Sequence, residues 1–214
     1  MQKLTFVISI CLLSVTIYAQ PNLYENPDFD KISKAHHIIA IVPFKTIAST
    51  SASQTKDISS KQITGMGNSG SESVQRAMYS WFLKKQQRGK LRVQVQDINT
   101  TNALLKKYNI NLDNMNEHRP KEIAEKLGVD ALISGNFEIS NPASEETTTT
   151  LGRLVSSRAK TIRATLNLFI HNGIDDQLLI NYKKMVGGAM DSSTEELIYF
   201  IMQTAPRRVS YLKN

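Results

Sequence analysis

The sequence predicts an α+β domain: a mixed β-sheet with helices packed mainly on one face and a long β-hairpin near the C-terminus. Three observations carry that prediction. Ile38-Ile39-Ala40-Ile41-Val42-Pro43-Phe44 is a short, β-branched apolar run, the signature of a strand covered on both faces. Val74, Ala77, Met78, Trp81 and Phe82 stand at i, i+3, i+4, i+7 and i+8, one apolar helical stripe. Ile162, Ala164, Leu166, Leu168 and Ile170 alternate with polar residues up to Asn172-Gly173, and Leu178, Ile180 and Tyr182 resume the alternation, which is a hairpin.

The elements follow in order. Residues 1–19 read as a signal peptide: Lys3 is the basic start, Leu4 to Ile17 an apolar stretch too short to span a bilayer, and Ala19 the small residue before the cut. Cys11 follows Ile10 in the middle of that stretch, which argues against a lipid anchor. Residues 20–36, with Pro21, Pro27 and Asp28-Phe29-Asp30, read as a poorly ordered extended leader. Residues 37–214 form a single domain. After the opening strand, 45–70 are rich in Ser, Thr and Gly and predict a mobile loop, with an edge strand near Gln62–Met66. A helix over 71–87 ends before Gly89, with Lys84, Lys85 and Arg88 at its negative end. Leu91 to Gln96 alternates as a half-buried strand. Asn99 or Thr100 caps a short helix carrying Leu104, Leu105 and Tyr108. Pro120 opens a helix with Ile123, Ala124 and Leu127 inside, and Gly128 closes it. Val129 to Ile139 alternates again, with Leu132 as the exception. Residues 140–158 hold Pro142, Glu145-Glu146 and Thr147 to Thr150, a mobile insertion. Gly187-Gly188 ends the hairpin. Ser192 and Glu195 have capping-box spacing before a last helix built on Leu197, Ile198, Ile201, Met202 and Ala205, which Pro206 ends. The basic tail Arg207–Asn214 packs at the sheet edge or frays.

Composition bounds the chemistry. The chain has 214 residues, 41% of them hydrophobic, and a net charge of +7, enough for one packed domain. Its one cysteine excludes a disulfide scaffold, a zinc ribbon and an iron–sulfur site held by this chain alone. Removing the signal peptide takes that cysteine and leaves 25 basic against 19 acidic residues. An exported destination makes intracellular nucleic acid an improbable partner. The natural counterparts of the basic charge are anionic envelope surfaces, lipid headgroups or acidic polymers. Lys84, Lys85, Arg88, Lys90 and Arg92 form its densest cluster.

No constellation assembles a catalytic, cofactor or metal site. Gly65-Met66-Gly67-Asn68-Ser69-Gly70 spells G-x-G-x-x-G, but a dinucleotide site needs that turn directly after a strand. The predicted strand ends about twenty residues earlier. His36-His37 are adjacent, so their side chains point apart in an extended chain, and both are expected to be solvated. Asp175-Asp176, Glu145-Glu146 and Glu195-Glu196 fit turns and caps. No serine-nucleophile signature appears. The expectation is no enzyme, no cofactor and no metal, and no partner-binding residue is singled out.

Ile38–Phe44, then LRVQVQDINTTNALLKKYNI, then PKEIAEKLGVDALISGNF, then the hairpin at Asn172-Gly173, resemble one group of bacterial envelope proteins. The group holds the curli-secretion channel family, the lipoprotein activators of penicillin-binding proteins, and the amino-terminal domain of the Tol–Pal translocation protein. The sharpest stretch is Ala124–Phe137, where Leu127-Gly128 and Val129-Asp130-Ala131 lead to Gly135. Residues 37–188 carry the resemblance. The chain departs from the curli channels in lacking a lipidated cysteine and two membrane-spanning hairpins. The resemblance implies a non-enzymatic protein of the periplasm or outer membrane that binds an envelope partner, a cell-wall synthase or a secretion component. The alternative it implies is an oligomerising component of a curli-like secretion assembly.

Overall fold

The computed structural model describes residues 22–49, 60–140, 161–189 and 192–213. The predicted signal peptide and the insertion at 141–158, Glu145-Glu146 included, lie outside them. Seven strands make one mixed sheet: β1 (Asn22–Glu25), β2 (Ile38–Ile41), β3 (Lys45–Ser49), β4 (Gln94–Val95), β5 (Ala131–Ser140), β6 (Thr161–Asn172) and β7 (Leu178–Ala189). The order is β1-β7-β6-β5-β2-β4, and β3 also pairs with β5. β2 runs parallel to β4 and β5, and β3 parallel to β5. The remaining pairs, β5 with β6, β6 with β7 and β7 with β1, are antiparallel. The predicted α+β class and the C-terminal hairpin are both present.

Among the described residues five α-helices accompany the sheet: α1 (Phe29–Ser33), α2 (Ser60–Gln87), α3 (Ile98–Lys107), α4 (Pro120–Leu127) and α5 (Thr194–Gln203). Alternation along β2 and β5 sorts the core into two layers. Ile39, Ile41, Ala131, Ile133 and Phe137 face α1, α2 and α5 in the larger cluster. Ala40, Val42 and Leu132 face Leu105, Ile123 and Leu127 of α3 and α4 on the other side. Leu132, which broke the polar alternation of β5, is therefore buried in the smaller layer. Among the described residues no helix is long and apolar enough to cross a membrane.

Several boundaries differ from the sequence expectation. Residues 22–36 are not a disordered leader: β1 pairs with β7, and Phe29 of α1 is fully buried. The expected loop at 45–70 contains β3 and the start of α2. The opening strand breaks at Pro43, which has no amide to donate, and resumes as β3 along the far half of β5. The predicted edge strand near 62–66 is helix. A Cβ on Gly70 would stand 3.0 Å from the Thr46 hydroxyl, so the glycine lets α2 lie close against β3. In the 91–96 strand, only 94–95 are strand. Arg92 donates its amide to Tyr211, while Gln94 and Gln96 donate theirs to His37 and Ile39, so the segment divides its pairing between the C-terminal tail and β2.

The α3 cap is Asp97, whose carboxylate accepts from the Asn99 and Thr100 amides. The capping box of α5 lies one residue later than expected, on Ser193 and Glu196. Gly187-Gly188 lie within β7 and do not end it. Gly128 closes α4 at φ +68, as predicted. The tail packs: Val209, Ser210 and Tyr211 are buried.

Both ends of the described chain close on each other. Arg208 bonds Glu25 at 2.5 Å and Asp30 at 2.6 Å. The Phe29 and Tyr211 rings are 5.7 Å apart.

Candidate functional site

The strands that escape α3 and α4 form a surface. Because side chains alternate across a sheet, the odd positions of β6 face away from the larger core layer. Register then builds rows across the sheet. Lys45, Asn136, Asn167 and Lys183 share one row, and Ile47, Glu138, Thr165 and Met185 share the next. Ser134, Phe169, Asn181 and Tyr24 form a third. Ile47 is 43% exposed, Tyr24 47% and Met185 53%. Apolar side chains thus stand in water among amides and both signs of charge. Beneath this face, β5, β6 and β7 carry the fully buried Ile133, Leu166, Leu168, Ile170 and Tyr182, which make it a rigid platform.

At the α4 end the face dips into a cleft of ≈ 330 Å³. Lys45, His118, Ser134, Asn136, Phe169 and His171 line it. The His171 ring lies 6.3 Å from Phe169, and its Nδ1 is buried with no hydrogen-bond partner among the described residues. Burial holds its pKa below the ordinary histidine value, against the pull of Asp176. His118 Nδ1 stands 3.8 Å from Glu122 Oε2, one helical turn along. Imidazole, hydroxyl and carboxamide groups supply donors and acceptors suited to polar side chains or peptide groups of a partner.

The residues weighed from sequence separate in space. His36 is not solvated. It is buried between Tyr211 Oη, 3.0 Å from Nδ1, and Asn172 Oδ1, 3.2 Å from Nε2. Burial lowers its pKa, with the Asn172 bond and Asp130 opposing. His37 is exposed, and its amide donates to Asp130 Oδ2 at 2.7 Å. The Ile38 amide donates to the same oxygen at 2.9 Å, so Asp130 pins the start of β2 to the start of β5. That clamp is the physical content of the Val129-Asp130-Ala131 passage.

The G-x-G-x-x-G run lies inside α2 rather than between strand and helix. Asp175 accepts from Asn172 and from the Gln177 amide, and Asp176 from Arg119 and the Lys121 amide. Those carboxylates fix the β6–β7 turn and dock it on α4. Among the described residues no group of three or more His, Cys, Asp or Glu side chains could hold a metal. In the basic cluster, Lys84 lies over the Tyr199 ring, Lys85 over Trp81 and Arg92 over Tyr211.

The open face was absent from the sequence expectation. Its signal was the polar set at odd positions of β6, interrupted by Phe169. The i, i+4 spacing of His118 and Glu122 was equally legible.

No protein-family model and no curated protein sequence matches the chain. Solved structures with a similar chain path include a lipoprotein from Neisseria meningitidis, 11% identical, with a TM-score of 0.45 over 78% of this chain and 91% of that one. The PelC dodecamer from Paraburkholderia phytofirmans gives 10% identity and a TM-score of 0.41 over 91% and 99%. The LpoB C-terminal domain from Escherichia coli gives 9% identity and a TM-score of 0.34 over 75% and 93%. These likenesses concern fold alone.

Proposed function

We propose that the chain is exported and then acts without catalysis, by holding another envelope protein on the open face of its sheet. The observation that carries this is the row of Ile47, Glu138, Thr165 and Met185 on a platform with a fully packed underside. Exposed apolar groups rimmed by charge and amide groups are the makeup of a protein-binding patch. The amino-terminal segment supplies the address. The sequence resemblance supplies the partner class, a cell-wall synthase or a secretion component.

Photo-crosslinking in cells tests the proposal. A crosslinker replacing Met185 or Thr165 is expected to capture an envelope protein, while one replacing Gln86, on exposed helix surface, captures none. An adduct of twice the chain mass from Met185, together with sedimentation as a large closed species, would establish the oligomerising alternative instead. Equal capture from all three positions, or capture of cytosolic proteins alone, overturns the reading.

A further inference from the structure

The opposite side of the molecule carries a second surface. Lys85, Lys90, Arg207 and Lys213 surround a recess of ≈ 590 Å³ between the end of α2 and the C-terminal tail, and among the described residues no Asp or Glu lines it. Gly89, at φ +65, turns the chain there, and the Lys213 amide donates to the Lys90 carbonyl at 2.8 Å. The backbone therefore fixes the spacing of cations that come from the end of α2 and from the C-terminal tail. Beside Lys85 on α2, Lys84 reaches α5: its Nζ is 5.5 Å from the Tyr199 ring centre. Tyr199 is 42% exposed and its neighbour Phe200 57%. The nearest acids on that helix, Glu195 and Glu196, sit in its first turn, and Glu196 is engaged in the capping box.

Cations alone would suit any polyanion. Cations beside exposed aromatic rings on one helical surface match the boundary of an anionic bilayer, where ammonium groups meet phosphate and rings enter the headgroup layer. We propose that this α2–α5 side docks on an anionic lipid surface, with Lys85, Lys90, Arg207 and Lys213 gathering phosphates and Tyr199 and Phe200 entering the interface. Because α2 and α5 cover the other face of the sheet, docking leaves the open face pointing away from the lipid. The inference stands independently of the partner proposed above.

The test uses residues 20–214 and sedimentation with vesicles of phosphatidylglycerol and phosphatidylcholine, or of phosphatidylcholine alone. Binding is expected only to the anionic vesicles, and it should fall steeply between 0.1 and about 0.5 M salt. At about 1 kcal/mol per lysine near such a surface, Lys85→Gln with Lys90→Gln weakens binding about thirtyfold. Lys90 and Phe200 are exposed and Lys85 is half-buried over Trp81, and an unchanged melting temperature verifies each variant. Phe200→Trp adds a reporter whose emission shifts blue on anionic vesicles. Equal binding to neutral vesicles, or full affinity in the double lysine variant, overturns the proposal. So does binding to soluble polyglutamate that matches the anionic vesicles and is unaffected by Phe200→Ser, since that outcome assigns the recess to an acidic polymer.

Discussion

Phe29→Ala tests whether the amino-terminal segment is part of the folded core. Phe29 has no solvent exposure and its ring sits 5.7 Å from Tyr211. It is the fully buried apolar residue of α1, so its loss leaves a cavity that a five-residue helix held at both ends cannot collapse to fill. Truncating a buried phenylalanine removes about 3–5 kcal/mol. Native domains hold only about 5–15 kcal/mol in total, so the variant is expected to lose about a fifth or more of its stability. Urea unfolding followed by circular dichroism should show a lower midpoint with an unchanged slope. Tyr24→Ala is the control: Tyr24 is nearly half exposed on β1, and its loss should change stability by less than about 0.5 kcal/mol. A Phe29→Ala loss below about 1 kcal/mol would refute the packing of α1 and return residues 22–36 to the status of a tether.

Acid should destabilise the fold through His36 and His171, whose pKa values burial holds below the ordinary histidine value of 6.5. The unfolded chain then binds more protons, so stability is complete above pH 6.5 and declines as pH falls through that value toward the folded pKa values. Thermal melts from pH 8 to pH 5 should show this, with a shallower slope in His36→Gln. Gly135→Ala should destabilise by about 1–3 kcal/mol, because its Cβ would lie 2.1 Å from the Asn167 carbonyl oxygen and 2.8 Å from the Phe44 ring. Gly187→Ala, with nothing within 4 Å of the added carbon, should be within about 0.5 kcal/mol of neutral in the same urea assay. Asp130→Ala strands the His37 and Ile38 amides and should cost about 1.5–3 kcal/mol by thermal melting.

Local patterns were legible wherever a residue's environment depends on its near neighbours. The α2 stripe from Val74 to Phe82 is buried as its spacing requires, and Gly128 ends α4 in the left-handed conformation that glycine favours. Legibility failed where distant segments decide. Nothing near Asn22–Glu25 signals a strand, because β1 exists by pairing with β7. His36 looked solvated because its partners, Asn172 and Tyr211, are 136 and 175 residues away. The glycines of the 65–70 run argued for a loop, yet Gly70 serves close packing of a helix on Thr46. The open face is a property of register: no single strand reveals that Ile47 and Met185 share a row.

The Arg208 clasp and the Phe29–Tyr211 and His36–Tyr211 contacts also constrain the order of events during synthesis. A ribosome releases the front of a chain first, and here Phe29 and His36 lack their Tyr211 partner until the last segment has been made. Completion of the native packing therefore waits on the end of synthesis.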